Sequence, residues 1–138
     1  SDGFSAGINL RWDIFRGGKK IIANKNSKLN RANSEILKES NIHCSIISMH
    51  TIKPFDKKTF IEFSKNSKAI LTVEEHSIFG GLGECCASLI AQNNINVKLK
   101  ILGIPDEYMI NGSQADVLDH YDMSPEKIAK RSKDLLNK

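Results

Sequence analysis

The stretch Thr72–Glu84, TVEEHSIFGGLGE, joins the end of an apolar strand to the start of a helix. Two carboxylates and a histidine follow the apolar residues, and Gly80, Gly81 and Gly83 precede or begin the helix. In open α/β sheets the loops that leave the carboxyl ends of strands are the usual place for ligands and partner surfaces. Glycines leave amide N–H groups uncovered at a helix start, where partial positive charge favours anions. The stretch is therefore the first candidate site, and close helix–strand packing is the competing explanation of its glycines.

Two nucleotide-binding motifs do not fit these glycines. A dinucleotide-binding turn needs Gly-x-Gly-x-x-Gly or Ala, with an acid about twenty positions further on. Gly81-x-Gly83 is followed by Cys86 where the third small residue should stand. No acid lies between Glu84 and Asp106, and the chain has no Gly-x-x-x-x-Gly-Lys-Ser/Thr motif. The sequence therefore favours neither an NAD-binding turn nor a P-loop.

The composition is that of a folded domain. The chain has 138 residues, of which 40% are hydrophobic and 26% are charged, and these values are ordinary for a globular protein. A domain of this length buries about two-thirds of the surface of its unfolded chain. No apolar run approaches the ~20 residues of a membrane-spanning helix, and the N-terminus lacks the pattern of a signal peptide. We therefore expect a cytoplasmic protein with no membrane partner.

The net charge of +4 is unevenly distributed along the chain. Residues 1–70 contain 13 Lys and Arg against 6 Asp and Glu, whereas residues 71–138 contain 7 against 10. Within residues 1–70 the basic residues form doublets only at Lys19-Lys20 and Lys57-Lys58, and aromatic residues do not alternate with them as a nucleic-acid stacking surface requires. This pattern is typical of a solvated face, and we expect no nucleic-acid partner.

The cysteines and histidines suggest neither a metal site nor a disulfide framework. Cys44, Cys85 and Cys86 are an odd number without Cys-x-x-Cys spacing, and the histidines include no His-x-x-x-His pair. We expect no metal ion, and we expect Cys85 and Cys86 to pack as small residues on a helix.

Strands and helices are expected to alternate along the chain. Apolar runs predict strands at Lys20–Ala23, Cys44–Met49, Ala69–Val73 and Val97–Leu102. Spacing and capping residues predict helices at Ser27–Glu39, from Asp56 to about Lys65, at Leu82–Gln92, and after Ser113-x-x-Asp116 and Ser124-Pro125. Short connections between such elements indicate a three-layer α/β/α fold with a mostly parallel sheet. Residues 1–18 are expected to form a lead-in segment or linker before a domain that spans residues 19–138.

Several motifs occur together in one order. They are IISMHTIKPFD at 46–56, the Val73–Glu84 stretch, GIPDEY at 103–108, and Gly112-Ser113-Gln114 followed by Leu118-x-x-Tyr121. Together they resemble the C-terminal domain of the transketolase family, the thiamine-diphosphate enzymes that transfer two-carbon ketol units between sugar phosphates. The resemblance covers about residues 42–130.

The resemblance implies a supporting role in a larger enzyme. In the family, thiamine diphosphate and its Mg²⁺ lie between a diphosphate-binding and a pyrimidine-binding domain, and the resemblance reaches neither. It implies that this chain alone has no catalytic residue, binds no cofactor and is inactive. Its implied role is to organise those partner domains and to support a homodimer through loops that face the neighbouring domain. The interface or anion-site candidates are Lys53, Glu75, His76, Gly80, Gly81 and Gly83.

Other functions stay open at this point. A stand-alone regulatory module would use the Gly80–Gly83 turn to bind an anion or a phosphorylated metabolite. A deoxyxylulose-phosphate synthase or a 2-oxoacid dehydrogenase β subunit would share the architecture, although EEHSIFGGLG and GIPDEY are more similar to transketolase. The upstream reading frame distinguishes these alternatives.

Overall fold

One mixed sheet organises the described part of the protein. The computed structural model describes residues 8–11, 20–23, 42, 44–49 and 51–137. The strands are β1 (Ile8–Arg11), β2 (Lys20–Ala23), β3 (Cys44–Met49), β4 (Ala69–Ser77) and β5 (Lys98–Ile104). Their order in the sheet is β1-β3-β2-β4-β5. Strand β1 is antiparallel to β3, whereas the β2–β3, β2–β4 and β4–β5 pairs are parallel, which confirms the mostly parallel sheet.

The helices in the described ranges begin at the residues that spacing and capping residues predict. They are α1 (Lys57–Lys65), α2 (Leu82–Gln92), α3 (Gln114–His120) and α4 (Pro125–Asn137). Asp56 caps α1, and Ser113 and Asp116 form a capping box at α3. Hydrogen bonds from the Ser113 hydroxyl and backbone lower the pKa of Asp116. None of these helices has the length and apolar character to cross a membrane.

Two apolar cores cover the two faces of the sheet. Strand β4 contributes to both, because alternate residues of a strand point to opposite faces. One core joins α1 and α2 to the sheet and contains Ile47, Met49, Phe60, Ile70, Leu82, Cys86 and Leu89. The other joins α4 to the opposite face and contains Leu71, Val73, Leu102, Tyr121, Met123, Ile128 and Ala129. Helices on both faces confirm the three-layer α/β/α class, while the predicted helix Ser27–Glu39 lies outside the described residues.

Two strand boundaries differ from the prediction. Strand β4 continues to Ser77 instead of ending at Val73, because Ser77 pairs with Ile104 of β5 after an irregularity in the register. The carboxylates and histidine of the TVEEHS segment therefore belong to a strand and not to the expected loop. Strand β5 runs over Lys98–Ile104, one residue later at its start and two at its end than predicted.

Part of the predicted lead-in segment belongs to the sheet. Residues 8–11 form β1, which pairs with β3 from Ile8↔Met49 to Arg11↔Ile46. The other residues of the segment lie outside the described ranges. The domain boundary between residues 18 and 19 stays a prediction.

Candidate functional site

The parallel strands bring three connecting segments to one edge of the sheet. Strands β3, β4 and β5 run in the same direction, so their carboxyl ends lie at the same edge. The described segments that follow these strands are residues 51–56, 78–81 and 105–113. We call this side of the domain the carboxyl edge. Helices α1, α2 and α3 begin there.

Glu74 is the best-buried charged side chain at the carboxyl edge, with 2% of its surface exposed. The backbone N–H groups of Leu82 and Gly83 donate hydrogen bonds to its two carboxylate oxygens, at 2.6 and 3.1 Å. Gly81, the N-cap of α2, has no side chain with which to cap the helix. Glu74 therefore supplies the cap from the neighbouring strand, and its negative charge suits the positive end of the helix dipole.

The glycines of the turn between β4 and α2 allow this close approach. Gly80 has a φ of +70°, a conformation that residues with a Cβ rarely adopt. A Cβ on Gly81 would collide with the side chains of Glu74 and His76, and a Cβ on Gly83 would collide with Ile101 of β5. The helix–strand packing explanation of these glycines therefore agrees with the structure.

Glu75 and His76 are exposed at the end of β4. The side-chain amide of Gln114, at the start of α3, donates to Glu75 at 3.2 Å. The His76 ring has Nδ1 at 2.7 Å from the Ser77 carbonyl oxygen and Nε2 at 3.3 Å from a Glu74 carboxylate oxygen. The contact with Ser77 is a hydrogen bond when Nδ1 carries the proton, whereas the contact with Glu74 is an ion pair only when the ring is charged. The His76 ring thus lies against the Glu74 carboxylate on its solvent side.

Lys53 lies apart from the other candidates. It is exposed in the segment between β3 and α1, beside a cis peptide bond to Pro54. Strand β2 separates β3 from β4 in the sheet. The structure therefore brings Glu75, His76, Gly80, Gly81 and Gly83 together and leaves Lys53 at the other end of the carboxyl edge.

Large apolar side chains are exposed at the carboxyl edge, and the sequence reasoning did not single them out. Phe79 is 58% exposed, Met109 is 54% exposed and Tyr108 is fully exposed. Phe79 follows β4, whereas Tyr108 and Met109 follow β5. The two segments are joined where they leave the sheet, because the Ile78 N–H group donates a hydrogen bond to the Ile104 carbonyl oxygen. Exposed apolar side chains that share one region mark a candidate partner surface.

Cys86 of α2 is a packing residue, whereas Cys85 is half-buried. Cys86 is fully buried in the core beneath α2. Burial, with smaller contributions from Cys85 and Glu74, strongly raises the pKa of the Cys86 thiol. A thiol held in its protonated form is a poor nucleophile, which agrees with the predicted packing role.

The amide groups at the start of α2 already have acceptors within the chain. The Gly80 N–H group donates to Glu84 at 2.7 Å, and the next helical amides donate to Glu74. A phosphate or diphosphate group would have to displace two carboxylates that also repel it. Within the described ranges no group of three or more His, Cys, Asp or Glu side chains is arranged to hold a metal ion. These residues therefore do not fit thiamine diphosphate with its metal ion.

Comparison with known proteins identifies the family of this chain. The family model described as transketolase, C-terminal domain, matches residues 29–128. A transketolase C-terminal section from Methanocaldococcus jannaschii is 43% identical over 70% of this chain and 30% of its own length. A subunit of the apulose-4-phosphate transketolase from Phocaeicola vulgatus is 34% identical over 75% of this chain and 32% of its own length. A 1-deoxy-D-xylulose-5-phosphate synthase from Symbiobacterium thermophilum is 32% identical over 75% of this chain and 16% of its own length.

Solved structures share the fold. A split-gene transketolase, described as an inactive beta4 tetramer, superposes with a TM-score of 0.77 at 22% identity, over 89% of this chain and 40% of its own. A Pichia stipitis transketolase in complex with sedoheptulose 7-phosphate gives a TM-score of 0.66 at 17% identity, over 95% and 18% of the two chains.

The family match spans more than half of the sequence, so the chain belongs to the family of transketolase C-terminal domains. The chain spans a third or less of the length of the three relatives from Methanocaldococcus jannaschii, Phocaeicola vulgatus and Symbiobacterium thermophilum.

Proposed function

We propose that this chain is the C-terminal domain of a transketolase-like enzyme that transfers two-carbon ketol units between sugar phosphates. In the complete enzyme, diphosphate-binding and pyrimidine-binding partner domains hold thiamine diphosphate and Mg²⁺. This domain organises those partners and supports a homodimer in the cytoplasm. By itself it is inactive.

One contrast at the carboxyl edge carries the proposal. The amide groups that would bind a small anion donate instead to Glu74 and Glu84. At the same edge, Phe79, Tyr108 and Met109 expose apolar surface. A surface of this kind suits a protein partner better than a small ligand. Lys53, Glu75, His76 and the glycines Gly80, Gly81 and Gly83 belong to the proposed interface as contact residues or as the turn that shapes it.

The relatives support two arrangements of the complete enzyme. Similarity to one subunit of the apulose-4-phosphate enzyme and to a split-gene transketolase favours partner domains on a separate chain. Similarity to one section of much longer synthases favours partner domains on the same chain. In both arrangements this domain meets its partners through the carboxyl edge.

A second candidate activity is the formation of 1-deoxy-D-xylulose 5-phosphate. Several relatives with about the same coverage of this chain carry the name of that synthase, one of them with 34% identity over 72% of the chain. An assay of the complete enzyme for this product and for ketol transfer between sugar phosphates separates the two activities.

The proposal is tested by calorimetric titration of the chain with thiamine diphosphate and Mg²⁺. We expect no binding in the low-micromolar range, because no described group of side chains fits the diphosphate and its metal ion. A parallel titration with inorganic phosphate tests the alternative of a stand-alone anion-binding module. Phosphate binding in the low-micromolar range would support that alternative.

Ketol transfer provides the positive arm of the test. Activity should require both this chain and the partner domains from the same enzyme, and neither part should be active alone. Tight binding of thiamine diphosphate to this chain, or full activity of the partner domains without it, would overturn the proposal.

A further inference from the structure

Asn111 and Gly112 form the one Asn-Gly pair of the sequence. Both residues are exposed, and they lie between β5 and α3, outside every helix and strand of the described ranges. The backbone nitrogen that follows an asparagine can attack the side-chain amide, because the attack closes a succinimide ring. Glycine permits this approach best, since it has no Cβ and the widest choice of backbone angles. The sequence therefore gives Asn111 the least hindered neighbour of any asparagine in the chain.

The nitrogen that would attack is not engaged in the fold. Among the described residues, the Gly112 N–H group has no hydrogen-bond acceptor, and the Asn111 side chain makes no hydrogen bond. The next backbone N–H group, that of Ser113, donates to Asp116 at 3.1 Å. Attack by the Gly112 nitrogen therefore breaks no hydrogen bond within the described part of the chain.

Other asparagines are held differently. Four of them in the described ranges are followed by backbone N–H groups that each donate to a carbonyl oxygen at 3.0–3.3 Å. These asparagines are Asn66, Asn93, Asn94 and Asn96. The side chains of Asn66 and Asn93 also donate, to the carbonyl oxygens of Glu62 and Leu89 at 2.9 and 2.8 Å. Ring closure at any of these positions would first break a hydrogen bond, so the structure separates the Asn-Gly pair from them.

We propose that Asn111 is a modification site at which the free chain deamidates itself. The Gly112 backbone nitrogen loses its proton to the solvent and attacks the side-chain carbonyl carbon of Asn111. A carbon–nitrogen bond forms, the bond to the side-chain nitrogen breaks, and that nitrogen takes up a proton and leaves as ammonia. Water then opens the succinimide, at one carbonyl to give aspartate and at the other to give isoaspartate. The reaction consumes only water.

The two products differ in what they do to α3. Aspartate keeps the path of the backbone, whereas isoaspartate lengthens the backbone by one carbon just before the capping box of Ser113 and Asp116. The space there is small, since a Cβ on Gly112 would lie 3.2 Å from the Asp116 Cβ. Gln114, the first residue of α3, donates to Glu75 of β4 at 3.2 Å. We therefore expect isoaspartate to disturb the cap and to loosen α3.

Assembly should slow the reaction. Residues 105–113 belong to the proposed partner surface, where a bound partner would restrict the backbone motion that ring closure needs. This consequence rests on the proposed function. It predicts that isoaspartate accumulates in chains that remain without their partner domains.

Mass spectrometry of the stored chain tests the modification site. The purified 138-residue chain is kept at mildly alkaline pH, and peptides are analysed at intervals. The peptide with Asn111 should become about 1 Da heavier at least about tenfold faster than the peptides with Asn66 or Asn93. Fragmentation by electron transfer distinguishes isoaspartate from aspartate in that peptide.

Two variants serve as matched controls. Asn111→Gln keeps a side-chain amide but would have to close a larger ring, so it should deamidate at least about tenfold more slowly than the wild type. Asn111→Asp carries the new charge on an unaltered backbone. Hydrogen exchange at the amides of residues 117–121 should become faster in stored wild-type chain, and it should stay at the fresh wild-type rate in stored Asn111→Gln and in fresh Asn111→Asp.

The outcomes distinguish this inference from the proposed function. Equal conversion at Asn111 and Asn66, or equal rates in the wild type and Asn111→Gln, would overturn the modification site. Unchanged exchange in α3 after isoaspartate has formed would overturn the effect on the helix. These measurements use the chain alone, so their failure leaves the proposed function standing. If ketol transfer does not require this chain, the proposed function fails whatever happens at Asn111.

Discussion

Glu74 and Glu75 show how two identical neighbours take different roles. Alternate residues of a strand face opposite sides, so extending β4 to Ser77 turns Glu74 towards α2 and leaves Glu75 exposed. The sequence reasoning selected Glu75 and His76 because it ended the strand at Val73. One signal that would have favoured Glu74 is its alternation with Ile70 and Thr72, which places it on the face that packs against α2.

Replacing Glu74 tests this assignment. Glu74→Gln leaves a neutral side chain that cannot satisfy both amide donors with charge-assisted hydrogen bonds, and we expect a loss of about 1–3 kcal/mol in the free energy of unfolding. The same change at its exposed neighbour, Glu75→Gln, should alter the free energy of unfolding by less than about 0.5 kcal/mol. Urea unfolding of both variants measures the difference. Equal effects at the two positions would show that the Glu74 cap contributes little.

At the scale of elements, local signals predicted the helix starts and long-range pairing decided the strand ends. The capping residues Asp56 and Ser113 mark α1 and α3, because a cap acts within one turn of the chain. The end of β4 depends on the pairing of Ser77 with Ile104, which are 27 positions apart, and no local pattern contains that information. Strand β1 is a related case, since its partner β3 lies more than thirty residues away.

The interior position of β4, between β2 and β5, gives a direct test of the core. Ile70 is completely buried against α1 and α2, so Ile70→Ala should lower the free energy of unfolding by about 2–5 kcal/mol. Ile95→Ala removes the same atoms at a half-buried site after α2, and it should lower the free energy of unfolding by less than Ile70→Ala does. Denaturant unfolding compares the two variants. A loss below about 1 kcal/mol at Ile70 would mean that this side chain is not in a well-packed core.

At the scale of the whole molecule, the carboxyl edge combines features that are far apart in the sequence. Lys57, Phe79 and Tyr108 follow three different strands, and only the order of those strands brings them to one side of the domain. The sequence therefore predicted the fold class and the family, and the topology was needed to define the candidate interface.

The central claim is that the carboxyl edge is the assembly surface of this domain. Hydrogen exchange followed by mass spectrometry tests it most directly, by comparing the chain as a dilute monomer with the same chain in the complete enzyme. We expect amides of residues 78–81 and 105–113 to exchange at least about tenfold more slowly in the assembly, because a buried interface restricts the openings that permit exchange. The exposed side of α4 should keep its monomer rates. Unchanged rates at the carboxyl edge, with protection appearing on α4 instead, would contradict the account.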